Sequence, residues 1–122
     1  MTTIEKLVLP SFLAFFRGTL PPDGTYRMYA LTFDLDMDSL RSSYPNSSYN
    51  NAYADIRKIL TEEGFEWTQG SVYFGNPERI NLTRCILAAR RLAKELPWFL
   101  ASVRDMRMLR IEETNDVLPL IS

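Results

Sequence analysis

A chain of 122 residues has room for one compact domain, and folding should bury about 60 to 70% of the surface that the unfolded chain exposes. With 46% hydrophobic and 24% charged residues, the composition excludes a wholly disordered or fibrous protein. Fourteen basic and fifteen acidic side chains leave a net charge of −1, which excludes a global field that draws the protein onto nucleic acid.

The sequence contains no histidine and a single cysteine, Cys85. The lack of histidine excludes a Ser/His/Asp triad, a Cys/His pair, a paired-histidine ribonuclease and histidine-bound zinc. Carboxylates, Lys, Arg, Tyr, Ser and oxygen-ligated metals such as Mg²⁺ remain for any chemistry. A lone cysteine permits no intramolecular disulfide and suits a reducing compartment, so we expect a cytoplasmic protein in which Cys85 is a small apolar group on a helix.

Residues 1–27 differ in pattern from residues 28–122, which we interpret as the folded domain. Pro10 and the Pro21-Pro22 pair interrupt the apolar stretches of this segment. A signal peptide needs an unbroken apolar centre, and a transmembrane helix needs a longer one, so we expect neither export nor a membrane partner. We interpret the segment as an N-terminal extension packed on the domain, or as translation from a start codon upstream of Met28.

The segment that begins at Met28 alternates in polarity and predicts a β-strand. One set of its side chains is Tyr29, Leu31, Phe33 and Leu35, and the other is Met28, Ala30, Thr32 and Asp34. We expect the first set to face the core and the second to lie on the opposite face.

A helix is predicted after Tyr44-Pro45, capped by Asn46 or Ser47 and ended by a left-handed Gly64. Its apolar stripe comprises Tyr49, Tyr53, Ile56 and Leu60. Two β-rich runs on either side of Gly70, residues 65–69 and 71–74, then predict a hairpin or a bulged pair.

A second helix follows Asn76-Pro77 and is expected to end or bend at Pro97. The residues predicted to face inward are Leu82, Ile86, Ala89, Ala93 and Leu96, and those predicted to face outward are Arg84, Arg91 and Glu95. A last strand is predicted near residues 104–112.

The element order strand, helix, strand, strand, helix, strand predicts an α+β protein of the ferredoxin-like βαββαβ type. In that arrangement both helices cover one face of an antiparallel sheet and the other face is left open. A small sheet with a bare face usually finds a partner, and a symmetric dimer is the commonest one.

Three carboxylates, Asp34, Asp36 and Asp38, gather where the first strand ends. Two of them, or one from each subunit of a dimer, can hold a divalent cation that polarises a phosphate or activates water. The alternative is a solvated acidic turn in which Asp38 or Ser39 caps a short helix.

The Asp34-Leu35-Asp36 tripeptide is also similar to the motif of the haloacid-dehalogenase phosphatases. Asp38 stands where that motif has Thr or Val. The predicted hairpin also breaks the alternation of strands and helices that their parallel sheet requires, so we regard this interpretation as the weaker one.

Ser71 and Tyr73 are expected to point towards the same open face as Asp34, where a hydroxyl can donate a hydrogen bond to a phosphate oxygen. The alternative is that both are ordinary exposed strand residues.

Three arginines give the last strand a basic character that suits phosphate contacts. They are Arg104, Arg107 and Arg110. The alternative is that they form surface ion pairs with neighbouring acids such as Glu112 and Glu113, which contribute little to stability.

Five sequence blocks occur in an order that closely resembles one known family. They are residues 28–36 (MYALTFDLD), 48–57 (SYNNAYADIR), 64–74 (GFEWTQGSVYF), 98–99 (WF) and 103–107 (VRDMR). Together they resemble the virulence-associated protein D (VapD) family from Met28 to about Glu113.

This resemblance implies a ferredoxin-like fold related to the small CRISPR-associated adaptation subunit. It implies a homodimeric, ribosome-independent endoribonuclease that cleaves RNA, in some bacteria as the toxin of a toxin–antitoxin pair with a small antitoxin protein as partner. It also implies that Asp34 is the principal catalytic residue and that Ser71 and Asp105 support it. Mg²⁺ held by Asp34 and direct general-base action by its carboxylate both remain open.

A second hypothesis is a non-catalytic dimeric module that uses the same face to bind nucleic acid or a partner protein. Affinity without turnover is the observation that would favour it.

Overall fold

Four strands make up the sheet in the computed structural model, which describes residues 28–45, 47–113 and 115–122. The strands are β1 (Met28–Leu35), β2 (Phe65–Gln69), β3 (Val72–Gly75) and β4 (Val103–Ile111). They pair antiparallel throughout, in the order β2-β3-β1-β4. This order, with helices packed on one face, confirms the predicted α+β, ferredoxin-like arrangement. The interpretation of residues 1–27 concerns a segment outside the described residues.

Five α-helices and one 3₁₀ turn accompany the strands in the part of the chain that the structure describes. They are α1 (Met37–Ser43), the 3₁₀ turn (Tyr49–Asn51), α2 (Ala52–Glu63), α3 (Leu82–Glu95), α4 (Phe99–Ser102) and α5 (Leu118–Ile121). None of these helices has the length and apolar character needed to cross a bilayer.

Helix α2 begins later than the sequence predicts, but it ends at the predicted residue. The 3₁₀ turn before it has Ser48 as its N-cap, so the predicted cap at Ser47 is wrong, and the alternative cap, Asn46, lies outside the described residues. At the other end Gly64 adopts φ 110° and its N–H bonds to the carbonyls of Leu60 and Thr61, as expected of a left-handed stop.

The core lies between β1 and the two long helices. Side chains of β1 at alternate positions are buried there against residues of α2 and α3, which confirms the inward set predicted for the first strand. The main contributors are Leu31, Phe33, Leu35, Ile56, Leu60, Cys85 and Leu92. Burial raises the pKa of the Cys85 thiol to about 11, so its interpretation as a small apolar group is confirmed.

The inward stripe of α3 is rotated from the predicted one. Cys85, Ala88 and Leu92 are buried, whereas Ile86 is 47% exposed and Leu82 is 48% exposed. The prediction was wrong for Leu82 and Ile86, whereas Leu96 packs against the core and Ala89 and Ala93 are half-buried. Apolar residues occupy more than one face of this helix, so hydrophobic periodicity alone does not give its phase.

The face assigned to Tyr73 was also wrong. Tyr73 pairs with Leu31 and is 1% exposed on the helix side, where its ring stacks on Phe33 with centroids 6.0 Å apart. Burial raises the pKa of Tyr73, while a hydrogen bond with Arg57 opposes that shift. Its neighbour in β3, Phe74, pairs with Ala30 on the other face and is itself half-buried. Because both faces of β3 are at least half-buried, polarity could not show which one the helices cover.

The sheet surface opposite the core is here called the Asp34 face. It comprises Met28, Ala30, Thr32 and Asp34 of β1 with their cross-strand partners, among them Asp105, Arg107 and Leu109 of β4. The face is not uniformly exposed: Met28 is 4% and Ala30 is 1% exposed, whereas Asp34 and Asp105 are exposed. Its accessible polar end is where β1 ends and β4 begins.

Candidate active site

Two carboxylates meet at the accessible end of the Asp34 face. Asp34 of β1 and Asp105 of β4 are direct partners in the antiparallel register, so both side chains project from the same face. Residues opposed in this way have Cβ atoms about 4.5 to 5.5 Å apart, and two like charges at that separation repel. A pair of this kind therefore needs cations nearby.

Each carboxylate has its own arginine. Arg104 donates two hydrogen bonds to Oδ2 of Asp34, from Nε at 3.0 Å and from Nη2 at 2.9 Å. Arg107 donates one from Nε to Oδ2 of Asp105 at 3.0 Å. The four side chains place two negative and two positive charges at one end of the sheet, all of them open to solvent.

A β-bulge brings Arg104 to Asp34. The regular β1–β4 register ends at Asp34 and Asp105, and the next pair is Leu35 with Val103, which leaves Arg104 as an extra residue. In an uninterrupted ladder Arg104 would lie opposite Leu35, whose side chain is in the core. The bulge turns it to the Asp34 face instead, and its bonds to Asp34 raise the pKa of Arg104.

Asp36 and Asp38 are not part of this pair. Asp36 is the N-cap of α1 and accepts hydrogen bonds from the backbone N–H of Ser39 at 3.1 Å and from its hydroxyl. These bonds lower the pKa of Asp36. Asp38 is 90% exposed and pairs with Arg41 at 3.1 Å. The alternative of a capped acidic turn is thus partly confirmed, with Asp36 as the cap in place of Asp38 or Ser39.

Ser71 lies at the same end of the sheet, in the turn before β3. Its carbonyl oxygen accepts a hydrogen bond from the N–H of Phe33 at 3.3 Å, so it is opposite Phe33 and out of phase with Asp34. The expectation that strand alternation carries Ser71 and Tyr73 to the face of Asp34 is therefore not met. Ser71 remains next to that end of β1 through the turn.

All three last-strand arginines form exposed ion pairs with carboxylates, as the alternative predicts, and their contact with phosphate remains a prediction. Arg110 pairs with Glu112 at 3.0 Å, as the surface ion-pair alternative expects. Arg104 and Arg107 bind the two site aspartates instead. The sequence identified these arginines as candidates but did not show which carboxylate each one binds. The contact between Arg104 and Asp34 depends on a bulge between two strands, and the two residues are 70 positions apart in the chain.

The pair of Asp34 and Asp105 could contribute to a metal site but does not complete one. No group of three or more His, Cys, Asp or Glu side chains suited to a metal ion occurs among residues 28–45, 47–113 and 115–122. Asp34 and Asp105 nevertheless offer oxygen donors, the type that Mg²⁺ prefers.

Comparison with known proteins gives consistent matches over the domain. The family model described as CRISPR associated protein Cas2 matches residues 27–117. Endoribonuclease VapD 2 of Riemerella anatipestifer is 47% identical over 95 residues, which cover 78% of this chain and 100% of that protein. An endoribonuclease VapD homolog of Helicobacter pylori is 50% identical over 94 residues, covering 77% and 96%. Endoribonuclease VapD of Dichelobacter nodosus is 43% identical over 94 residues, covering 77% and 97%.

Proposed function

We propose, from the premise that this chain belongs to the VapD family and to the CRISPR-associated Cas2 family, that it is an endoribonuclease. The names of its relatives support the substrate and the reaction class. The observation that carries the proposal is the cross-strand pair of Asp34 and Asp105, with an arginine on each, at an accessible end of the sheet.

The two aspartates and their arginines supply two kinds of group that assist cleavage of a phosphodiester. A carboxylate can take the proton of the attacking hydroxyl, whether that is the ribose 2′-OH or water, as its oxygen bonds to phosphorus. The bond from phosphorus to the leaving ribose oxygen breaks in the same reaction, and that oxygen takes up a proton from solvent. A guanidinium can bind two oxygens of a phosphate and stabilise the negative charge that grows on it in the transition state. No histidine in the chain competes for the role of base.

In this proposal Asp34 is the principal catalytic residue, and Asp105 and Ser71 support it. Asp105 shares the face and the charge environment of Asp34, while Ser71 contacts a phosphate oxygen from the turn before β3. Asp34 acts as general base, or it holds Mg²⁺ with Asp105 so that the cation polarises the phosphate.

The test is cleavage of a labelled single-stranded RNA by purified protein, with Mg²⁺ and with EDTA. We expect cleavage by the wild type and a loss of at least about 100-fold in Asp34→Asn, the size of effect seen when a general base is lost. Product ends separate the two chemistries: a 2′,3′-cyclic phosphate indicates attack by the 2′-OH, and retained cleavage of a 2′-deoxy linkage indicates attack by water.

The matched control is Asp38→Asn, which makes the same charge change four residues away and should cleave like the wild type. Light scattering and circular dichroism should give the same mass and fold for all three proteins. Equal cleavage by the wild type and Asp34→Asn would refute the assignment, and RNA binding without any cleavage would favour the non-catalytic module.

We further propose that the protein works in the cytoplasm as a homodimer and as the toxin of a toxin–antitoxin pair. Strand β4 supports the dimer, because it is nine residues long and, among the strands that the structure describes, lies at the end of the sheet order, where an edge strand can pair. A partner in that role would be a small antitoxin protein. Growth arrest on expression, relieved by the product of an adjacent short reading frame and absent in Asp34→Asn, is the expected result.

A further inference from the structure

The register shift beside Asp34 sets the position of Arg104. Arg104 is the extra residue of the bulge, and a regular ladder would send its side chain to the core. Bulges commonly redirect a side chain next to an active site. The local fold is thus arranged so that this guanidinium reaches the carboxylate proposed as catalytic.

The contact itself is of a kind that a ligand can break. Both donors of Arg104 bind the same atom, Oδ2 of Asp34, and the two side chains are 63% and 57% exposed. Ion pairs this exposed are weak and screened by salt. A phosphate can offer a guanidinium two oxygens in the matching fork geometry, whereas Asp34 offers it one.

Two carboxylates act on Arg104. Its hydrogen bonds with Asp34 do most to raise the pKa of Arg104, and the charge of Asp36, the N-cap of α1, adds to that shift. Arg107 is placed differently. It occupies a regular ladder position and donates one hydrogen bond, to Asp105, which lies two residues away on the same strand.

We propose that Arg104 exchanges partners during the reaction: it holds Asp34 in the free protein and moves to the RNA phosphate on binding, which releases the Asp34 carboxylate beside the reacting group. This inference rests on the proposed ribonuclease function. It makes Arg104 both the residue that binds the phosphate and the one that keeps Asp34 occupied until RNA is present.

The test is a double-mutant cycle on binding of a short single-stranded RNA that carries a 2′-O-methyl group at every ribose, measured in EDTA by fluorescence anisotropy. Asp34→Asn frees Arg104 and should tighten binding about fivefold, the scale of one exposed ion pair. Arg104→Gln should weaken binding about tenfold, the scale of one charge-assisted contact. The double variant Asp34→Asn/Arg104→Gln should bind like Arg104→Gln alone, within about twofold.

The control is the same cycle with Arg107. Asp34→Asn should still tighten binding in the Arg107→Gln background, because Arg104 is present there. Asp38→Asn removes an equal charge and should leave the affinity unchanged. If Asp34→Asn tightens binding equally in the Arg104→Gln background, Asp34 acts by repulsion alone and the exchange is refuted.

A second measurement follows the guanidinium directly and does not depend on any variant folding. The Arg104 Nε–H resonance in a ¹⁵N-labelled wild-type protein should shift when the 2′-O-methyl RNA is added, and an unmoved resonance would refute the exchange. The two proposals fail differently: a wild type that neither binds nor cuts RNA contradicts the ribonuclease function, whereas one that cuts RNA but gives an additive cycle contradicts only the exchange.

Discussion

Asp34 and Asp36 lie two positions apart in the sequence and have different surroundings. Asp34 projects from the sheet and is ion-paired to Arg104, so its partner can be replaced by a ligand. Asp36 accepts hydrogen bonds from the Ser39 backbone and hydroxyl at the start of α1, so its oxygens have a structural task. A sequence motif of two aspartates does not distinguish an ion-paired carboxylate on the sheet surface from a helix cap, whereas the hydrogen-bond partners do.

The cap at Asp36 predicts a pH-dependent contribution to stability. The pKa of Asp36 is lowered from 3.8 by its bonds to Ser39, so the folded state favours the ionised form. Asp36→Ala should therefore lower the melting temperature by a few degrees at pH 7, and the difference from the wild type should shrink as pH falls below about 4. Thermal melts at pH 3 and pH 7 would measure it.

Asp38→Ala provides the comparison, since it removes an acid from the same turn but no capping bond, and we expect a smaller loss. A difference between the wild type and Asp36→Ala that is the same at both pH values would mean that the ionised carboxylate is not what stabilises α1.

Packing between elements, and not the local sequence of each element, sets the bulge in β4 and the rotation of α3 about its axis. Helix α3 has apolar residues around much of its circumference, and the sheet covers only the stripe of Cys85, Ala88 and Leu92. Similarly, nothing in residues 103–107 alone marks Arg104 as an extra residue. Periodicity predicts that a helix or strand exists, but its rotation and register depend on what it packs against.

The rotated stripe of α3 predicts the relative cost of two truncations. Leu92→Ala removes a fully buried side chain and should lower the free energy of unfolding by about 2 to 5 kcal/mol. Ile86→Ala removes one that is 47% exposed and should cost about 1 kcal/mol or less. Urea denaturation of both variants tests this, and the opposite order would support the stripe predicted from the sequence.

The charge of the whole molecule limits how it can hold RNA. Its 14 basic and 15 acidic side chains provide no net attraction, so the proposed RNA binding must depend on local arginines, such as those at the Asp34 face. This differs from a protein that covers nucleic acid with a broad basic surface, and it fits a site that contacts a short stretch of backbone.

The salt dependence of RNA binding tests whether a small number of local arginines holds the RNA. If Arg104 and Arg107 neutralise two phosphates in each subunit, the logarithm of the binding constant should fall with the logarithm of salt concentration with a slope of about −1.4 per site. Anisotropy titrations with the 2′-O-methyl RNA at salt concentrations from about 50 to about 300 mM would give the slope. A slope steeper than about −4 would require a second basic surface.

The sequence by itself determined the element order, the alternation of β1, the end of α2 at Gly64 and the exclusion of histidine chemistry. These features depend on local periodicity, on a glycine that adopts positive φ and on composition, all of which can be recognised from the amino-acid sequence. The family blocks also predict Asp34, Ser71 and Asp105 as residues of one site, which remains a prediction.

Only the tertiary structure decided how that site is assembled. It placed Asp105 opposite Asp34, turned Arg104 towards Asp34 through the bulge, put Tyr73 in the core and left Asp36 as a cap. The physical reason is that register and helix rotation are set by packing between segments distant in sequence, while a local pattern carries only its own period. Of the three aspartates predicted to cluster at the end of β1, Asp34 belongs to an exposed pair with Asp105, and an arginine binds each carboxylate of that pair.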